Sequence, residues 1–259
     1  MSETLECIYD YPLYYDILMG WDRDVEASFY DAALRLYGAP EGGRLLEVAC
    51  GTGQIALRLA TLGWQVTGLD LSRRMQDYLE TAARERGVPV RTVRANMTTF
   101  TLGELQDAAI CPGGSFAILQ DNASALGHLE AMAAVLRPGG AYVLEIEFAV
   151  GEGEARSTPA EGEEWSMCRG GIEVRAEGDG VSVEDRGRGV RLRLDWGVKL
   201  RRYTGPGFAA LVAQSGAFAI EMCYPEAGRD DEGVSFFDSD HVQRTLAAGR
   251  TMVVLKRSS

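Results

Sequence analysis

Ten residues, Leu45-Leu46-Glu47-Val48-Ala49-Cys50-Gly51-Thr52-Gly53-Gln54, hold the densest chemistry in the chain. Gly51 and Gly53 let the backbone turn sharply and approach a ligand with no Cβ in the way. An apolar run over residues 55–62 follows. Its helix would offer unpaired N–H groups and the positive end of its dipole. Asp70 stands roughly twenty positions further on, where a nucleoside-binding fold places its ribose ligand. Gly51-x-Gly53-x-x-Ala56 also passes for a dinucleotide fingerprint in its G/A form. Glu47 discriminates. A carboxylate near the turn repels a pyrophosphate, whereas a ligand carrying an ammonium or sulfonium would welcome it.

Positioning these groups takes strand, turn, helix and strand in that order. Residues 44–48 have the apolar character of a parallel strand buried on both faces. Residues 65–69 form a second strand that ends at Asp70. Ser72 is an N-cap for a helix to about residue 86, closed by Gly87. Residues 90–94 read as a third strand and 107–111 as a fourth. In open α/β sheets ligands sit at the carboxyl ends of strands, where strand order reverses, and residues 111–116 fall there by position. Residues 122–136 read as a helix, broken by Arg137-Pro138-Gly139-Gly140, which launches a fifth strand over 141–148.

The stretch E-V-A-C-G-T-G-Q followed by G-L-D-L-S resembles the class I S-adenosylmethionine-dependent methyltransferases. By this resemblance Glu47 lies near the methionyl end of the cofactor, Ala49, Cys50, Gly51 and Gly53 pack beside it, and Asp70 binds the ribose diol. Ala49 replaces the family's commonest first glycine. Leu71 and Met75 could flank the adenine, and core packing is the other role for Met75. The resemblance puts Asn96 opposite the adenine amino group, as an acceptor through its side-chain carbonyl where many relatives have aspartate. Met97 would supply a backbone N–H to the ring. Cys111, Gly114, Ser115 and Phe116 lie where the family builds the floor between cofactor and substrate. L-R-P-G-G followed by an apolar strand is a second point of resemblance.

The amino-terminal stretch, residues 8–21, is aromatic and acidic. It reads either as a helix laid on the core or as a lid over the cofactor. Relatives often open with such a Y-D segment, and a tyrosine from it can contact the methionine carboxylate. Tyr9, Tyr14 and Tyr15 are the candidates, with Trp21 toward the substrate. The sequence offers His128, Glu147 and Tyr203 as catalytic candidates, with His241 and Asp121 as further possible bases. Glu147 is also a substrate-contact candidate, since a buried strand seldom carries carboxylates unless its end opens into a cleft. A lone histidine on a packing helix is more often structural.

Residues 172–176, 181–184 and 190–196 alternate apolar and polar positions, the pattern of an antiparallel meander with one buried face. A closing helix over 204–214 and two strands, 219–224 and 251–257, return to the family pattern. The long acidic loop between those strands includes Asp230, Asp231, Glu232, Asp238 and Asp240. The expected fold is α/β: a Rossmann-like seven-stranded methyltransferase sheet, mostly parallel with an antiparallel edge hairpin, and a small antiparallel β cap inserted after strand five. The expected divisions are 1–40, an amino-terminal helical lid or substrate segment; 41–150, the cofactor-binding core; 151–202, the cap; and 203–259, the closing helix with the last two core strands.

Bulk properties bound the partners. The chain has 259 residues and a net charge of −12. Nucleic acid and anionic membranes are poor partners for such a charge. The five cysteines are scattered without a C-x-x-C pair, and no signal peptide is read, so reduced thiols in a cytoplasmic protein are expected. Neither of the two histidines sits in a metal-ligand pattern, and no metal is expected. No apolar run approaches a membrane span. The resemblance implies S-adenosylmethionine as cofactor, S-adenosylhomocysteine as product, and a small-molecule acceptor methylated on nitrogen or oxygen by a monomer or homodimer. A nicotinamide oxidoreductase, or a non-catalytic protein of the same fold serving as a scaffold, is the alternative.

Overall fold

The computed structural model describes residues 6–21, 23–149, 155–157, 164–229, 235–237 and 249–258. After a 3-10 turn at Ile8–Asp10 come helices α1 (Pro12–Leu18) and α2 (Asp24–Leu36). Then β1 (Arg44–Val48), α3 (Gln54–Thr61), β2 (Gln65–Asp70), α4 (Arg73–Arg86), β3 (Val90–Arg94) and β4 (Gln106–Cys111) alternate. A 3-10 turn at Ser115–Ile118 leads into α5 (Asn122–Val135) and β5 (Leu136–Phe148). The meander follows as β6 (Ala155–Ser157), β7 (Trp165–Arg169), β8 (Ile172–Glu177), β9 (Gly180–Asp185), β10 (Val190–Asp195) and β11 (Leu200–Arg202). The chain closes with α6 (Gly205–Ser215), β12 (Phe218–Arg229), β13 (Ser235–Phe237) and β14 (Gly249–Arg257).

Among the described residues the main sheet has the order β13-β12-β14-β5-β4-β1-β2-β3. β1 to β5 run parallel, and β14 and β12 pair antiparallel at one edge. The seven expected strands are present, with the three-residue β13 added beyond them. Strand order reverses between β1 and β4, so a crevice opens at their carboxyl ends. A separate antiparallel sheet, β10-β9-β8-β7, forms the cap, and β11 pairs with β6.

Two expectations need correcting. Arg137 to Gly140 does not separate helix from strand. The parallel pairing begins at Gln106↔Leu136 and resumes at Ala108↔Ala141, so the glycines form a bulge inside β5. The segment from 225 to 249 is not loop throughout, since β12 continues to Arg229 and β13 pairs with it. Asp230, Asp231, Glu232, Asp238, Asp240 and His241 lie outside the described residues.

The alternation of a strand sorts the core into two layers. Leu46 and Val48 of β1, with Tyr142, Leu144 and Ile146 of β5, pack under α5 and α6. Leu45, Ala141 and Val143 face the other way, against Tyr30 and Leu34 of α2 and Ile55 and Leu59 of α3. By the same parity Glu47 and Glu145 point to the α2–α3 side.

Candidate active site

The turn after β1 uses the left-handed backbone region three times: Ala49 at φ 53°, Gly51 at 52° and Gly53 at 75°. Each glycine answers a different need. A Cβ on Gly51 would meet Tyr15 Cε1 at 3.4 Å, so Tyr15 lies across the turn. A Cβ on Gly53 would strike Leu79 Cδ1 at 2.2 Å, so that glycine serves the packing of α3 on α4. Ala49 takes the strained region with a side chain present, which costs about 1–2 kcal/mol.

Asp70 closes β2 beside this turn. Its Oδ2 accepts from Gly51 N at 2.8 Å and its Oδ1 from Ser72 N at 2.8 Å. Burial raises its pKa above the usual carboxylate range, against the pull of those amides. Glu47 lies deeper, 2% exposed, with Oε2 buried and without a hydrogen-bond partner. Burial pushes its pKa up to about 8; the Arg23 guanidinium and the Ala56 amide at the start of α3 pull it down.

A cleft of about 2070 Å³ runs across the carboxyl ends of the parallel strands. Tyr9, Tyr15, Trp21, Ala49, Gly51, Asp70, Leu71, Asn96, Met97, Gly114, Ser115 and Glu147 all line it, so most of the expected residues come together. Asn96 departs from its expected role. Its Oδ1 already accepts from Thr98 N and Thr98 Oγ1, both at 2.9 Å, so the carbonyl meant for an amino group is engaged.

Several expected residues are turned away from the cleft. Tyr14 packs in a core with the cap, its hydroxyl 3.4 Å from Asp185 Oδ2. Met75 and Cys111 are buried as core, and Cys50 packs against Leu57 and Leu79. Phe116 is the centre of an aromatic cluster with His128, Tyr203 and Phe208, not part of the floor.

His128 and Tyr203 are structural. His128 is fully buried, with Nδ1 2.9 Å from the Met97 carbonyl and Nε2 2.8 Å from the Tyr142 hydroxyl. A carbonyl only accepts, so Nδ1 carries the proton and Nε2 accepts from Tyr142. Burial lowers its pKa to about 4. Both nitrogens are used, and the ring cannot take a proton from the cleft. Tyr203 is fully buried and its hydroxyl donates to the Leu119 carbonyl at 2.7 Å. Asp121 caps α5 through Ser124 N at 2.7 Å.

The sequence reading missed a buried charge network at the β5 end of the cleft. Arg250 Nε donates to Glu145 Oε1 at 2.7 Å, and Glu145 Oε2 accepts from Gly113 N at 3.1 Å. Arg250 also reaches Glu26, which Arg23 Nη1 contacts at 2.5 Å. The Arg250 guanidinium holds the Glu145 carboxyl below its usual range despite burial. Glu145 sits at an apolar position of a doubly buried strand, and such a carboxylate demands a cation. That demand was the available signal; the β14–β5 register then sets Arg250 opposite Glu147, one diagonal from Glu145. Among the described residues no group of three or more His, Cys, Asp or Glu is arranged to hold a metal. No helix among them is long and apolar enough to cross a membrane.

Comparison with known proteins agrees with this geometry. A family model described as a methyltransferase domain matches residues 45–140. The chain is 30% identical over 174 residues to YqeM of Bacillus subtilis (strain 168), covering 62% of this chain and 66% of that one. The match spans a smaller share of other curated relatives, 35% and 49% in two cases. The fold is similar to an S-adenosylmethionine-dependent methyltransferase from Clostridium acetobutylicum ATCC 824. The TM-score is 0.70 at 16% identity, over 98% of this chain and 100% of that one. It is also similar to SAM-bound CalS10, an amino pentose methyltransferase from Micromonospora echinaspora. There the TM-score is 0.62 at 25% identity, over 92% and 93% of the two chains. With a glycine turn, a carboxylate at the end of β2 and this strand order, the chain carries a methyltransferase domain on the class I S-adenosylmethionine-dependent methyltransferase fold.

Proposed function

We propose that the protein transfers a methyl group from S-adenosylmethionine to an amine nitrogen of a small molecule. One observation carries this reading: a single cleft joins the Ala49–Gly51 turn and Asp70 to a second region under Gly114, Glu145 and Glu147. At about 2070 Å³ it exceeds the roughly 300–1,000 Å³ of an ordinary ligand pocket, and so suits two molecules side by side.

The residues present fit the cofactor. A carboxylate offers about four lone-pair positions. Two on Asp70 are filled by Gly51 and Ser72 amides, which leaves acceptor capacity for the two hydroxyls of a ribose. The orphaned Glu47 Oε2 sits in the field of Arg23, a pairing suited to the ammonium and carboxylate of a methionyl group. Tyr15 would cover the turn from above. When bound, S-adenosylmethionine supplies an activated methyl group on a sulfonium centre. The chain itself must hold the acceptor in line and exclude water, and such placement can supply about 7–11 kcal/mol.

Nitrogen is favoured over oxygen by the bases. Of the candidates among the described residues only Glu147 reaches the cleft, and Arg202 holds it at 3.3 Å. A neutral amine needs no strong base, whereas an alcohol or phenol does. The amino sugar acceptor in the name of CalS10 supports the same choice.

The test is a panel of amines, phenols and alcohols incubated with protein and S-adenosylmethionine, read by release of S-adenosylhomocysteine. Turnover of amines with silent phenols is expected. Turnover of hydroxyl acceptors alone would overturn the choice of atom.

A further inference from the structure

Helix α1 and the cap share a hydrophobic core of their own. Ile8, Ile17 and Leu18 pack with Val174, Val183 and Trp196, apart from the two layers of the main sheet. Backbone ties reinforce this, since Asp195 N donates to Glu6 O at 2.8 Å and Trp165 Nε1 to Leu18 O at 3.2 Å.

This unit is joined to the cofactor-binding elements by Arg74 of α4, whose Nη1 donates to the Asp10 carbonyl at 2.9 Å, and, with more partners, by the Asp16 carboxylate. Asp16 on α1 is buried, 8% exposed. Gln54 Nε2 donates to its Oδ1 at 3.0 Å and to its carbonyl at 2.9 Å. Tyr78 Oη donates to its Oδ2 at 2.9 Å, and Arg169 Nη2 to the same oxygen at 2.7 Å. Gln54 opens α3 directly after Gly53, Tyr78 belongs to α4, and Arg169 ends β7. The lid, the cap and both helices flanking the glycine turn therefore meet at one side chain. The preceding residue, Tyr15, crosses Gly51 and lies tilted against Tyr9, their centroids 5.3 Å apart.

We propose that α1 and the cap open and close over the cofactor cleft as one body, and that Asp16 is a positioning residue that latches the closed state with Tyr15 across the turn. The proposal rests on reading that cleft as the cofactor site. Opening must break the Asp16 contacts to Gln54 and Tyr78 together with the Arg74 contact to Asp10, while the contacts inside the lid–cap core persist. Motion of the two parts should then be correlated.

The experiment is hydrogen–deuterium exchange on the ligand-free full chain, wild type against Asp16→Asn and Arg169→Gln, followed by the dissociation rate of S-adenosylhomocysteine. Asp16→Asn keeps the volume of the side chain and removes its charge. Exchange should rise at least about tenfold in α1 and in β7–β8 by the same factor, with β1 to β4 unchanged, since bonds to a charged group are being weakened. Dissociation should quicken in parallel. Arg169→Gln, at an exposed side chain, should move α1 and the cap together in the same direction to a smaller extent. Faster exchange in α1 alone, an unchanged pattern, or a rise spread through the main sheet would each overturn the latch. Because exchange is read without ligand, a wild type that binds no S-adenosylhomocysteine would overturn the cofactor reading and leave the coupled motion to stand or fall by itself.

Discussion

Asp70 and Glu47 are two carboxylates made different by their surroundings. Asp70 is held by two amides and retains room for more hydrogen bonds. Asp70→Ala removes charge-assisted bonds worth about 1.5–3 kcal/mol each. Calorimetric titration should show at least about a tenfold loss of S-adenosylmethionine affinity in a folded protein; equal affinity would remove Asp70 from the ribose site. Glu47 has a pKa raised from 4.5 to about 8. An acid raised on folding stabilises the fold below its unfolded pKa, and that contribution is lost as pH rises through the folded value. The ligand-free protein should therefore lose stability from pH 4.5 to about 8 more steeply than Glu47→Gln, measured by denaturant midpoints. A bound cation favours the ionised form, so cofactor affinity should rise over the same interval in the wild type and stay flat in the variant. Ala49→Gly should relieve left-handed strain and stabilise by about 0.5–1 kcal/mol after the extra freedom of glycine in the unfolded chain is counted. A lower unfolding midpoint would contradict that account. At this scale the turn was legible in the sequence because its chemistry is local: glycines, a following helix and an acid at a fixed distance. His128 and Tyr203 were not. Whether a polar ring faces a cleft or a carbonyl depends on Met97, Tyr142 and Leu119, which sequence spacing does not bring together.

Helices α3 and α4 meet through a fit that glycine makes possible. Leu79 occupies the space where a Cβ on Gly53 or Gly68 would go, at 2.2 Å and 3.1 Å from its nearest methyl. Overpacking of this kind, added to left-handed strain, should make Gly53→Ala cost about 2–5 kcal/mol. Chemical denaturation would register it, and Leu79→Ala in the same chain should recover part of the loss. Simple additivity of the two changes would deny the contact. The strands were readable from their apolar runs, and β1 to β4 lie within a residue of their expected bounds. The bulge in β5 was not, because Pro138 and two glycines read as a break until the pairing with β4 is known. The partner of α1 was also hidden. Tyr14, Ile17 and Leu18 form an apolar face at helical spacing, which announces burial without naming the cap as what buries it.

Across the molecule, the carboxyl ends of five parallel strands, the amino-terminal segment and the small antiparallel sheet line one cleft. Its walls include Arg23, Glu145 and Arg250, which with Glu26 form a buried charge network on the α2–α3 side, in a chain of net charge −12. The order of strands was accessible from the family pattern, whereas this network was not, since its members come from α2, β5 and β14. The central claim is that this cleft takes S-adenosylmethionine. The direct measurement is the unfolding midpoint with S-adenosylmethionine, S-adenosylhomocysteine, NAD or no ligand. A ligand at a hundred times its dissociation constant adds about 2.7 kcal/mol, or roughly 5–10 °C in a domain of this size. The account predicts that rise with both adenosyl compounds and none with NAD. A rise with NAD alone would contradict it.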